Sequence, residues 1–121
     1  MRMWLVDPKI MCQKHLCGEH LEHHMFLGSI KKRKKLDRFF LHNCLEPQSL
    51  LLRHKELADE MLARGYKHIS PLEDPWEFMN YLTEEQKNYK IDKGASLKNL
   101  LERCPKCFDR YQKLTALMLF R

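Results

Sequence analysis

The sequence predicts an all-α fold: a single compact domain of three main helices with long loops, its first residues tucked against the helices. Three observations predict it. Apolar residues recur at helical spacing over 50–62. Strand-type alternation is nearly absent. Prolines, glycines and capping residues punctuate the chain where helices should start and stop. At 121 residues, one domain over 1–121 is expected, with a modest core that needs no crosslinks.

The elements follow in order. Met3 to Val6 is a short apolar lead, broken by Asp7-Pro8. From about Lys9 to Lys32 no proline intervenes, and the residues suit a helix. Its apolar positions, among them Leu16, Leu21, Met25, Phe26 and Ile30, are spread around the axis, as in a helix central to a small fold. The clearest helix follows Pro47 and ends before Gly65. Leu50, Leu51, Leu57, Ala58, Met61 and Leu62 form its apolar face, and Arg53, Lys55, Glu56, Asp59, Glu60 and Arg64 its polar one. SPLEDPWEF at 70–78 reads as a loop, because Pro71 and Pro75 obstruct regular structure. TEEQ at 83–86 is a capping-box pattern opening a short helix, and Gly94 ends that stretch. Ser96 is expected to cap a third main helix, Leu97 to Arg103, stopped by Pro105.

Charge narrows the function. Lys and Arg outnumber Asp and Glu by 22 to 16, a net charge of +6, which favours a polyanionic partner such as nucleic acid. KKRKK at 31–35 (Lys31, Lys32, Arg33, Lys34, Lys35) is the densest basic run and should meet phosphates. Arg110, between Phe108 and Tyr111, adds a second basic-aromatic stretch. No apolar run is long enough to span a bilayer, and no signal peptide is evident. Five cysteines without a secretory signal suggest reduced thiols, so an intracellular, DNA-associated monomer is expected.

The stretch MCQKHLCGEHLEHH at 11–24 raises two chemistries. Helical geometry brings His15, Glu19, Glu22 and Phe26 within about 60° of one another, so two carboxylates and an imidazole share a face. Such a face is often only a set of solvated i,i+4 pairs. The metal reading rests on Cys12-x-x-His15-x-Cys17, the histidines behind it, and Cys104-Pro-Lys-Cys107. Cys12 and Cys17 diverge by about 140° on a helix, however, and there is one CxxC rather than two. No metal and no cofactor are therefore expected. The other chemistry belongs to the amino terminus. An α-amine with a pKa of about 7.7–8.0 is roughly 10–15 per cent neutral at pH 7, against about 0.04 per cent for a lysine. Arg2 is too large for Met1 to be trimmed, so the Met1 amine is a candidate Schiff-base nucleophile.

These residues resemble the pyrimidine-dimer DNA glycosylase family. His15-Leu16, Glu19, Glu22, Gly28 and Arg2 match its type member without gaps. LRHKELADEMLARGY at 52–66 is similar to the family's second helix, and ASLKNLLERCP at 95–105 to its third. The resemblance implies a bifunctional glycosylase and AP lyase acting on damaged double-stranded DNA. Met1 would be the nucleophile and Glu22 the catalytic carboxylate. Arg2 would hold a phosphate, and no metal would be needed. His15 is a further candidate DNA-binding residue, its alternatives a supporting partner of the site or a structural histidine. Cyclobutane pyrimidine dimers are the expected substrate. Leu21 and Met25 stand where the type member carries arginines, and Cys107 where it carries a tryptophan, so another modified base is the alternative. A DNA-binding or zinc-holding module without catalysis is the reading from a different class.

Overall fold

The computed structural model describes residues 1–67 and 70–119, and among them there is no strand. Six α-helices form: α1 (Gln13–Lys31), α2 (Asp37–Leu41), α3 (Leu50–Ala63), α4 (Glu84–Lys87), α5 (Lys93–Arg103) and α6 (Pro105–Leu119). Three tighter helical turns, Pro8–Ile10, Pro47–Ser49 and Pro75–Tyr81, each begin on a proline, whose missing N–H is no loss at a first position. No described helix is long and apolar enough to cross a membrane.

The all-α class and the tucked first segment are as expected, but four long helices stand where three were predicted. The residues around Pro75, read as a loop, wind into a helical turn because Asp74 caps it and Pro75 opens it. Gly94 does not end a helix. It lies inside α5, which starts at Lys93 under the Asp92 cap. Ser96, read as that cap, is buried, and its hydroxyl donates to the Trp4 carbonyl at 2.6 Å. Pro105 ends α5 and at once begins α6. Thr83 and Gln86 do form the capping box of α4. Gly65 takes φ +87° just past α3, a conformation that only glycine adopts freely.

α1 lies across α3 and the Pro75–Tyr81 turn, while α6 packs on α5 and the Pro8–Ile10 turn. The first residues run between the two apolar clusters and contribute to both. Met3 joins Phe26, Ile30, Leu45, Leu50 and Met79. Trp4 and Val6 join Leu16, Leu57, Leu100 and Cys107. Each such side chain, taken from water, contributes about 1.5–3 kcal/mol. Leu5, at φ +53°, turns the chain between them. The left-handed conformation costs a leucine about 1–2 kcal/mol, and it sits beside the site described next.

Candidate active site

Hydrogen bonds to their backbone fix the first residues. The Met3 amide donates to the Cys44 carbonyl at 2.7 Å, and Arg53 Nη1 donates to the Val6 carbonyl at 2.6 Å. With the Ser96 bond, three separate parts of the fold hold residues 3–6. Beneath them lies a buried ion pair. Glu19 accepts from Arg53 Nε at 2.7 Å and from Arg53 Nη2 at 3.0 Å, joining α1 to α3. Burial pushes the Glu19 carboxyl above its ordinary range, and the two Arg53 hydrogen bonds and charge oppose that. Arg53 is almost wholly buried, although the amphipathic pattern put it on the polar face of α3. Its burial follows from its four acceptors: Glu19, the Val6 carbonyl, Glu56 and the Met11 sulfur.

One turn along α1, the half-buried Glu22 carboxylate accepts the Arg2 backbone N–H at 3.1 Å. The Met1 amine lies one residue further on, at most about 3.6 Å of chain. Met1 itself is half-buried against the Phe26 cluster. Among the described residues its amine makes no ion pair with a carboxylate. The Arg2 guanidinium stacks 3.9 Å from the Trp4 ring centre, and its Nε is buried without a partner. Arg103, at the end of α5, lies over the same ring at 5.8 Å. Two cations thus flank one indole next to a carboxylate. Paired guanidinium groups of this kind are suited to gripping an anion such as a phosphate.

Residues 1–74 match the family described as pyrimidine dimer DNA glycosylase. The chain belongs to that family. Neither the curated proteins nor the solved structures compared with it give a match. Membership in a DNA glycosylase family carries with it a damaged-DNA substrate. The matched stretch contains Met1, Arg2, His15, Glu22 and the basic turn. α5 and α6 lie beyond it, and so does the 95–105 segment to which the sequence resemblance extended.

The remaining predicted residues take different positions. Lys31 to Lys35 are all exposed at the end of α1. Lys31 Nζ pairs with Glu73 at 2.7 Å, Arg33 lies over the Tyr81 ring, and Tyr81 donates to the Lys34 carbonyl at 2.7 Å. The turn is therefore fastened to residues 73–81, with its five charged side chains still exposed. Arg110 donates through Nε and Nη2 to the Lys9 carbonyl, at 3.1 and 2.8 Å, and ties α6 to the Pro8–Ile10 turn. Among the described residues Arg110 makes no hydrogen bond to Arg2 or Glu22. Phe108 is exposed, whereas Tyr111 packs against the core.

His15 packs edge-on against Trp4 but turns Nδ1 toward the thiols of Cys12 and Cys107, at 3.2 and 3.7 Å. Burial, followed by the Lys14 and Arg103 charges, holds its pKa below the ordinary histidine value. A second imidazole group, His20, His24 and His54, joins α1 to α3, with His24 and His54 Nε2 atoms 3.2 Å apart. Sequence reasoning missed Trp4 and Arg103 as members of the site. Arg103 could be found only by knowing that α5 ends over the first segment.

Proposed function

We propose that this DNA glycosylase works through the Met1 α-amine and couples base excision to strand cleavage. The observation that carries the reading is the 3.1 Å bond from the Arg2 amide to Glu22, which sets a carboxylate beside the terminal residue. The neutral amine attacks C1′ of the damaged nucleotide, and the base departs with the electron pair of the glycosidic bond. Glu22 stabilises the cationic sugar and passes the proton lost by the amine to the ring oxygen O4′, contributions typical of a general acid–base and of electrostatic catalysis in a sheltered site. The sugar ring then opens to an imine. Loss of a C2′ proton expels the 3′ phosphate by β-elimination, and water releases the enzyme. Arg2, with Arg103, holds a flanking phosphate, and the 31–35 turn adds contacts that carry no sequence information.

Cyclobutane pyrimidine dimers are the first substrate to test. Leu21 and Met25 favour a second reading, a glycosylase for another modified base. They are 60 % and 48 % exposed within one turn of Glu22 on α1, and offer an apolar surface where arginines would grip a dimer. A panel of duplexes separates the two: ultraviolet-irradiated, abasic, base-modified and untreated. Both readings predict nicking of the abasic duplex. Nicking of the irradiated duplex besides it supports the dimer, and nicking of a base-modified duplex instead supports the second reading. Glu22→Gln should lower nicking of the preferred duplex by about 10²–10⁴-fold while leaving its binding unchanged. Undiminished nicking by that variant would remove Glu22 from the reaction.

A further inference from the structure

The strongest feature outside the reaction is a group of four soft donors drawn from the two ends of the chain. Cys12 Sγ, His15 Nδ1, Cys104 Sγ and Cys107 Sγ all lie within 4.8 Å of one another. Cys12 Sγ is 3.2 Å from His15 Nδ1 and 3.8 Å from Cys104 Sγ, and Cys107 Sγ is 3.7 Å from His15 Nδ1. A zinc ion with Zn–S bonds of about 2.3 Å and a Zn–N bond of about 2.0–2.1 Å sets tetrahedral edges of about 3.8 Å between sulfurs and about 3.5 Å between sulfur and nitrogen. The observed separations fall around those edges. They are far longer than a disulfide's bond of about 2.05 Å, and none of the cysteines is paired.

Backbone N–H groups are aimed at two of the sulfurs. The Cys12 amide donates to Cys107 Sγ at 3.2 Å, and the Cys107 amide to Cys104 Sγ at 3.5 Å. Cys12 stands at the N-terminus of α1, and Cys104 immediately before α6. Both helix ends present N–H groups that favour negative charge. All three thiols are buried, and the imidazole is half-buried. Two ligand pairs of matching spacing, Cys12-x-x-His15 and Cys104-x-x-Cys107, meet across some ninety residues. Sequence reasoning set Cys12 against Cys17 and so rejected a metal. The partner of Cys12 is His15, one turn on, and Cys17 is not in the cluster.

We propose that these four side chains bind one structural zinc ion, a closed Cys3His site that clamps the start of α1 to the α5–α6 junction. Four protein ligands leave no open position, so the ion supplies no Lewis acid to the DNA chemistry. Its role is mechanical. It fixes His15, on which Trp4 rests, and Trp4 supports Arg2. The assignment stands independently of the amine mechanism.

Elemental analysis of protein purified without added chelator is expected to give one zinc per chain. Cobalt(II) added to reduced, metal-stripped protein is expected to give thiolate-to-metal charge-transfer absorption and the intense visible bands of a tetrahedral ion. One equivalent of zinc should abolish both. Cys104→Ser should weaken zinc binding by more than the roughly 10–100-fold typical of an outer-shell change, and Cys17→Ser should leave it unaltered. If Cys104→Ser fails to fold, the charge-transfer band of the unmodified protein decides, because it requires sulfur ligands. Absence of both zinc and that band overturns the proposal. So does metal that survives Cys104→Ser and disappears on His54→Ala, which would place it at the three-histidine group.

Discussion

At the residue scale, the interior of this protein is unusually rich in groups that would rather be in water, and each is answered differently. Glu19 and Arg53 answer one another with two hydrogen bonds, and Arg53 then uses a further donor to hold the Val6 carbonyl. His23, fully buried, has neither ring nitrogen hydrogen-bonded. It is kept neutral instead. Burial, with the neighbouring His54, Arg53, His20 and His24, lowers its pKa to about 3, although Glu19 lies 3.3 Å away. His54 is lowered to about 4 by burial and by His20 and His24, against a backbone contact from Ser70 that raises it. The unfolded chain binds these protons from about pH 6.5 downward, whereas the folded chain refuses them until about pH 4 and then about pH 3. Stability is therefore fully present above pH 6.5 and falls as the pH drops toward 4. Denaturant titrations at pH 7 and pH 4.5 should differ by at least about 1–2 kcal/mol, and His54→Gln should reduce the difference. An acid limb that is unchanged in that variant would assign the loss to other groups.

At the scale of elements, local signals were legible where they acted locally. The Thr83 capping box, the glycine after α3 and the apolar stripe of that helix are all read from neighbouring residues. Glu22 was legible for the same reason, because 100° per residue puts it on the face of Glu19 and Phe26. What escaped was set by distant partners. Arg53 looks solvated until Glu19 comes down on it from another helix. Ser96 looks like a cap until Trp4 presents its carbonyl. Pro105 looks like an end because sequence shows only that it stops α5. The chain turns there and the same residue opens α6. The basic turn after α1 also has more structure than its composition suggests. Tyr81 holds its backbone at Lys34, Lys31 and Arg33 lean on Glu73 and Tyr81, and all five side chains remain exposed. Replacing Lys32 and Lys35 by alanine should therefore weaken binding to any duplex by a similar factor. It should also reduce the slope of log affinity against log salt by about 0.9 for each phosphate no longer neutralised. An unaltered slope would take this turn out of the DNA interface.

At the scale of the whole molecule, the architecture is a means of holding the first six residues still. Two apolar clusters take side chains from them, α3 and α5 bind their carbonyls, and Glu22 binds the second amide. A terminal residue is ordinarily the part of a chain most free to move. Here its neighbours are among the most buried residues in the fold, with Met3 wholly inaccessible. That restraint is what the proposed Met1 nucleophile needs to meet one carbon atom, since positioning of this kind lowers a barrier by several kcal/mol. The most direct test is to react the protein with its nicked substrate duplex in the presence of borohydride and to map the trapped adduct by peptide mass spectrometry. The account predicts a reduced, covalent link between DNA and the α-nitrogen of Met1. An adduct on a lysine side chain, or strand cleavage with no adduct at all, would contradict it.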